Sequence, residues 1–333
     1  MSRGIVVALA TVLGGCRTAE PPMTTFAPKS DFAEWTYSLY LQVIGWDSFI
    51  LVLVGLLLVL ALFRYSTRAL GKGETPPASR ERVELEVAWT VGPALVLIAI
   101  AIPTIRTTFR AAPAVAPAEA LHVDVTAHQW WWEVRYPDLT VVTANEIHLP
   151  LGRPVRLELR SADVIHSFWV PQLGGKRDVV PGHPNAITLV PHVVGMYPGQ
   201  CAEFCGLSHA NMRFRVFVES PDDFQAWIAH QVMPVLTPVT SEDLVTAGAR
   251  LYATSPCVTC HAINGVSSGR LGPNLTHFAT RTTFAGGTLA NTPENLGAWL
   301  RDPESVKPGA QMPRLGLPPA QVSELVAYLG SLR

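Results

Sequence analysis

The sequence predicts a multidomain membrane protein: a hairpin of two transmembrane α-helices, a β-sandwich, and a small all-α domain. Three observations carry this. Residues 44–63 and 88–109 are apolar, each long enough to cross a bilayer, and one basic loop separates them. Between residues 121 and 219 several segments alternate apolar and polar, the period of half-buried strands. Downstream, helix-start signals precede Cys257-Val258-Thr259-Cys260-His261. Composition agrees, since 48% of the 333 residues are hydrophobic and only 15% charged, too apolar for an ordinary soluble chain. A net charge of -1 excludes the basic footprint of a nucleic-acid binder.

Residues 1–16 hold one basic residue, Arg3, and an apolar run ending in Leu13-Gly14-Gly15-Cys16. This is the pattern of a lipoprotein-type signal peptide with Cys16 lipidated; a plain signal peptide with an incidental cysteine is the alternative. Residues 17–40 read as a polar, proline-bearing lead-in, and the hairpin occupies 40–110. Its loop carries Arg64, Arg68, Lys72, Arg80 and Arg82, so it is expected in the cytoplasm, with both long flanks outside. Pro93 and Pro103 fall inside the second span, where neighbouring helices can cover the freed carbonyls. Glu86 stands at the cytoplasmic edge of that span; read alone, it is an interfacial carboxylate.

Residues 111–119 form a stiff linker rich in alanine and proline. Leu121, Val123 and Val125, and later Val155, Leu157 and Leu159, mark inward faces of strands, and residues 120–220 are expected to form the sandwich. Between the first strands lies His128-Gln129-Trp130-Trp131-Trp132-Glu133, an aromatic cluster suited to anchoring on a membrane or a partner subunit.

Residues 196–212 hold the densest chemistry: Cys201, Cys205, His209 and Met212. Pro198, Gly199 and Gly206 mark the stretch as a loop rather than a strand. Thiolate and thioether beside imidazole are a donor set that copper prefers; a small disulfide between Cys201 and Cys205 is the plainer alternative. His166, at the end of an earlier alternating segment, is the candidate for one more ligand.

Residues 221–240 read as a connector with one helical turn near 224–228. In residues 241–333, Ser241 is expected to cap a helix running to about residue 253, with Glu242 and Asp243 in its first turn. Cys257, Cys260 and His261 form the c-type haem attachment pattern, two thioethers fixing the porphyrin and His261 ligating iron. Gly248 and Tyr328 are spaced for a close contact between the first and last helices. Of five cysteines, four fall in a C-x3-C and a C-x-x-C pair and Cys16 stands alone, more a metal and cofactor pattern than a disulfide framework.

His166 with Cys201-x-Glu203-x-Cys205-x-x-x-His209-x-x-Met212 resembles the binuclear copper (CuA) site of cytochrome c oxidase subunit II. Residues 241–333, with Gly272-Pro273-Asn274-Leu275 and Met312-Pro313 after the haem motif, resemble a small class I cytochrome c. Together the resemblance covers nearly the whole chain, and it implies a cupredoxin fold for the sandwich. It implies that Cys201 and Cys205 bridge two coppers, that His166 and His209 each terminate one, and that Met212 and the Glu203 carbonyl are weak axial ligands. Met312 would be the second axial ligand of the haem c iron. Trp130 would be the point where electrons enter the copper pair, and Glu86 would help protons into a partner channel. The Glu203 carboxylate would face a Mg2+ or Mn2+ ion at the subunit I interface. The implied partners are subunits I and III, a cytochrome c or other periplasmic donor, and membrane lipid, in a bacterial inner membrane with both cofactors outside. The implied function is electron input to a terminal oxidase that reduces O2 to water and translocates protons. The alternatives are the copper subunit of a nitric oxide reductase and a non-enzymatic copper-binding lipoprotein; a quinol oxidase subunit is disfavoured by the thiols.

Overall fold

The computed structural model describes residues 22–64, 82–111, 116–234 and 243–333. The expected leader with Cys16, the loop positions Arg68, Lys72 and Arg80, and Ser241 with Glu242 lie outside the described residues. The chain divides into two compact bodies, one of residues 34–114 and one comprising residues up to 33 and from 115 onward.

The first body is helical, with α1 (Asp31–Arg64) and α2 (Val83–Ala111). The apolar windows of both helices bury nothing within the body, as expected of surfaces whose solvent is lipid. α1 begins earlier than the lead-in expected up to residue 40, because no proline or glycine interrupts the sequence from Lys29 to Ile44 and Asp31 suits a helix start. Pro93 and Pro103 lie inside α2 as expected, and Glu84 and Glu86 occupy its first turn.

The second body opens with a sandwich of two five-stranded sheets. Its strands are β1 (Leu121–His128), β2 (Trp131–Tyr136), β3 (Val141–Ala144), β4 (Glu146–Pro150), β5 (Val155–Ser161), β6 (His166–Trp169), β7 (Arg177–Val179), β8 (Asn185–Leu189), β9 (Gly195–Cys201) and β10 (Arg213–Glu219). The sheets run β3-β2-β1-β5-β8 and β4-β10-β9-β6-β7. β1 and β5 are parallel, with Leu121 opposite Val155 and Val125 opposite Leu159. Because side chains alternate along a strand, this register puts the predicted apolar sets on one buried face. Trp132 fills the middle of the core, edge-on to Phe168 at 5.6 Å and to Phe214 at 5.3 Å.

Three local expectations are corrected. Residues 195–201, expected to be loop, form β9. Arg215 N donates to Asn145 O on the far side of β10, so its pairing with Pro198 carries no ladder bond. The missing proline N–H therefore faces the β6 side, where pairing is confined to Gln200 and Cys201. Gly199 is the residue that fits beneath the Phe214 ring, which a Cβ would overlap. The connector contains a full helix, α3 (Pro221–Gln231), rather than one turn. Pro221 sits at its start, where no N–H is needed, and the Ser220 side chain accepts from Asp223 N. Trp227 binds α3 to the sandwich, stacking on His148 at 4.2 Å. Finally, the helix after the connector, α4 (Leu244–Thr254), is capped by Asp243, whose carboxylate accepts from Thr246 N at 2.9 Å.

α4, α5 (Pro293–Arg301) and α6 (Pro319–Ser331) enclose the last core. α4 crosses α6 at Gly248 as expected: a Cβ there would overlap the Glu324 carbonyl and stand 2.7 Å from Tyr328 Cβ. This helical part is docked on the sandwich. Glu146, 3% exposed, accepts at Oε1 from Thr282 N at 2.8 Å, Thr283 N at 3.1 Å and both threonine hydroxyls. Backbone joins backbone where Arg213 N donates to Gly286 O at 2.7 Å.

Candidate functional site

The soft-ligand cluster is assembled where β6, β9 and β10 end together. Phe168 lies opposite Cys201 across β6 and β9, and His166, two residues before Phe168, shares its face. Cys201 N donates to Met212 O at 2.9 Å, closing the intervening loop at its base. Gly206, at φ +112°, makes the bend, and a short 3-10 turn, His209–Asn211, returns the chain to β10.

This architecture brings the expected ligands together. Cys201 and Cys205 sulfurs are 3.8 Å apart. His166 Nδ1 lies 3.9 Å from Cys201 Sγ, and His209 Nδ1 lies 3.6 Å from Cys205 Sγ. Met212 Sδ is 3.8 Å from Cys205 Sγ, and the Glu203 carbonyl is 3.2 Å from Cys201 Sγ. Each thiol thus has its own imidazole, and the pair of sulfurs lies between them. No disulfide joins the two cysteines. The Glu203 carboxylate points elsewhere, half-exposed and 3.9 Å from Lys176 Nζ.

Electrostatics prepare the cluster for cations. The hydrogen bond shared with Cys205 pulls the Cys201 thiol well below its ordinary range against the opposing effect of burial, and His166 adds to the lowering. The same sharing, together with burial, pushes Cys205 up. One proton therefore serves two sulfurs, and it leaves when a soft metal binds. His166 Nε2 faces Asp163 Oδ1 at 2.8 Å. A carboxylate only accepts, so Nε2 carries the proton and Nδ1 offers its lone pair toward Cys201. Burial opposes the charge of Asp163, but hydrogen bonds from His166, Val164 and Gln129 outweigh it and hold the carboxyl below its ordinary range. The donor set of two thiols, two imidazoles and a thioether fits a soft copper pair and does not fit a hard, oxygen-seeking ion.

A cavity of about 340 Å³ lies under Cys257, Cys260, His261 and Met312. His261 Nδ1 donates to Pro273 O at 2.8 Å, which leaves Nε2 free as a ligand. Burial keeps this imidazole below its usual pKa, in the neutral form that binds iron. Gly272 permits the fit, since a Cβ would stand 2.6 Å from the imidazole Cε1. Met312 Sδ accepts from Trp299 Nε1 at 3.1 Å. Arg281 also lines the cavity and is buried with its Nε unpartnered. An apolar cavity with two free thiols on its rim, an imidazole, a thioether and one buried guanidinium fits an iron porphyrin with its carboxylates.

Trp130 links the two places. Its indole Nε1 donates to the Cys205 carbonyl at 3.0 Å, joined there by Gln129 Nε2 at 2.7 Å, and its ring lines the cavity beside Trp131. Glu86 belongs to the helical body and is exposed there. Sequence reasoning missed Asp163, Gln129 and Lys307. An acid three residues before a candidate histidine ligand was the available signal for Asp163; Gln129 and Lys307 are recognisable only from their distant partners.

Three family models match: "Cytochrome C oxidase subunit II, transmembrane domain" over residues 33–107, "Cytochrome C oxidase subunit II, periplasmic domain" over 138–220, and "Cytochrome c" over 245–333. Cytochrome c oxidase subunit 2 of Alkalihalophilus pseudofirmus is 36% identical over 330 residues, covering 98% of this chain and 95% of that one. The Bacillus subtilis protein of that name is 32% identical, covering 97% and 94%. Quinol oxidase subunit 2 of Bacillus subtilis is 35% identical but covers 67% of this chain and 71% of that one. The crystal structure of the periplasmic domain of a Bradyrhizobium japonicum cytochrome oxidase subunit II is 30% identical over 35% of this chain and 96% of that chain, with a TM-score of 0.34.

Proposed function

Because the chain belongs to the cytochrome c oxidase subunit II family, and so to a haem–copper oxidase complex with subunit I, we propose that it is the electron-input subunit. The proposed route runs from a periplasmic donor such as cytochrome c to a haem c on Cys257 and Cys260, then to a CuA pair, then to subunit I, which reduces O2 and translocates protons. The carrying observation is that Trp130 touches both the copper loop and the haem cavity.

When bound, the copper pair and the haem would each take up and release one electron. This chain supplies their settings. Cys201, Cys205, His166, His209, Met212 and the Glu203 carbonyl would hold the copper pair, and Asp163 would orient His166 for it. His261 and Met312, which line the same cavity, would hold the haem iron, and Arg281 would offer its charge to porphyrin carboxylates. Trp130 lines the haem cavity and is bonded to a ligand's own carbonyl. The haem part and Trp130 need not be rival entrances, because Gly309 of the haem part packs against the tryptophan ring.

The same reading includes the bacterial inner membrane, subunit III as neighbour, and Glu86 as a proton intake group for the partner. It also includes a Mg2+ or Mn2+ ion near Glu203, whose carboxylate is half-exposed. Nitric oxide as the terminal substrate and a stand-alone copper lipoprotein are the weaker readings, since relatives named cytochrome c oxidase subunit 2 match nearly end to end.

The test is oxygen uptake by the purified complex with translation stopped after Pro238. Activity with an external donor is expected to fall and to depend more steeply on donor concentration and salt, as for a steered diffusional encounter. Unchanged rates at every donor concentration would make the haem part a side branch.

A further inference from the structure

We infer that Lys307 is a positioning residue for haem-to-copper transfer, clamping the backbone of Trp130 to the haem part of the chain. The inference rests on the function proposed above.

Lys307 lies in the loop that leads to Met312. It is 4% exposed, and its Nζ donates to Trp130 O at 2.5 Å and to Ala285 O at 3.1 Å. One carbonyl belongs to the copper sandwich and the other to the haem part, so the ammonium is shared across the interface. Removing an ammonium from water is costly unless hydrogen bonds replace the lost solvent. Here Ala285 supplies one from within the haem part, and Trp130 supplies the other only when the two parts are docked. Burial pushes the amine down to about 7, opposed by the field of Cys205, as expected for a charge held among dipoles.

The following residues complete the clamp. Pro308 O accepts from the hydroxyl of Ser208, which precedes the copper ligand candidate His209. Gly309, at φ +81°, packs against the outer edge of the Trp130 ring: a Cβ would stand 2.8 Å from it. Across the cleft, Gly286, at φ +73°, leaves room where a Cβ would be 2.7 Å from Trp130 O. Trp130 is thus held by its carbonyl, by one ring edge, and by its indole N–H on Cys205 O.

Lys307 and Gly309 are on the strand of chain that delivers Met312 to the cavity, and Ser208 is on the loop that delivers His209 to the copper site. Displacing the clamp would displace the tryptophan relative to both centres while leaving each set of ligands whole. That separates positioning from ligation, and it makes the role measurable.

The experiment uses the intact oxidase complex. One electron is injected photochemically at the haem, and its arrival is followed in the near-infrared absorption of the copper pair, at low and high salt. In the parent, transfer is expected at one rate at both salt concentrations, since a docked interface needs no screened encounter. Lys307→Met, which keeps length and loses the donor, is expected to slow transfer at least tenfold and make it salt-dependent. The methionine–iron band and the spin resonance spectrum of the copper pair should both remain. Gly309→Ala, which pushes on the ring from the other side, should also slow transfer with both spectra kept. Parental rates in Lys307→Met at every salt concentration overturn the inference. If Lys307→Met loses either spectrum, Gly309→Ala decides, and an unchanged rate there overturns it. If the parent itself passes no electron from haem to copper, the proposed function fails instead.

Discussion

Replacing Asp163 by asparagine should loosen copper without touching a ligand. Asp163 accepts from His166 Nε2 at 2.8 Å and Val164 N at 2.7 Å with one oxygen, and from Gln129 N at 2.6 Å with the other. Asparagine can present its one oxygen to His166 or to Gln129, but not to both. If it serves His166, its NH2 meets the Gln129 N–H donor to donor. Leaving aside the local Val164 bond, the loss is then one charge-assisted bond, from His166, weakened to a neutral one and one backbone donor, Gln129 N, left without a partner. Because the carboxylate is partly exposed, water softens both effects, and about 1 kcal/mol for each is the fitting scale. The sum, about 2 kcal/mol, corresponds to about thirtyfold in copper affinity, within the range of 10- to 100-fold typical of groups that orient a metal-bound histidine. The assay is chelator competition against the copper-loaded complex, read at the visible bands of the copper pair with the haem band as internal reference. The spin resonance spectrum should remain that of a shared electron. A chelator midpoint within twofold of the parent would refute the argument that Asp163 orients His166.

Four further outcomes are expected. Cys201→Ser should abolish the mixed-valence copper spectrum, whereas Met212→Leu should keep copper and shift its potential; a shared-electron spectrum surviving in Cys201→Ser would exclude a thiolate bridge there. Met312→Ala should lose the weak near-infrared sulfur-to-iron absorption while the chain still stains for covalent haem on a denaturing gel. Gly248→Ala should cost about 2–3 kcal/mol, because α4 and α6 must separate to admit the methyl group, lowering the melting temperature of the haem part by about 10–20 °C. Lys307 is held near 7 when folded against 10.5 ordinarily. Between those values the unfolded chain binds more protons, so stability should rise with pH there, with the full penalty present below about pH 7. Melting curves from pH 7 to 10 should show that slope, and Lys307→Met should flatten it.

The ligand residues were legible because soft donors at short spacing leave few structural explanations, and the strand faces because a period of two in apolar residues has one buried solution. Local punctuation misled in two places. Proline and glycine at 198 and 199 suggested a loop, but the neighbouring strand stops short and the Phe214 ring needs the missing side chain. Pro221 suggested a connector, although proline is well suited to a first helical turn. What no local pattern could reveal was the docking of the last part of the chain. Lys307 and Trp130 stand 177 positions apart, and neither residue advertises the other. The aromatic cluster at 128–133 was visible as chemistry, but which of its rings faces a cavity depends on a surface supplied by residues far downstream.

The seat of Glu146 bears on how such a fusion can be altered. Its buried carboxylate is satisfied by the main chain and hydroxyls of Thr282 and Thr283, while the buried Lys307 is satisfied in part by the main chain of the sandwich. Each half thus hosts the other's charge with neutral dipoles. A foreign cytochrome spliced on at the same junction would bring its own porphyrin but neither the threonine pair nor the lysine. Without that cover Glu146 would take water in place of the threonines, nothing would favour docking, and the foreign domain would hang from the sandwich as cargo. Exchange of parts in this protein is therefore constrained at the contact surface more tightly than at the splice point, and chimaeras should be cut to carry residues 282–309 with the copper half's Glu146 and Trp130.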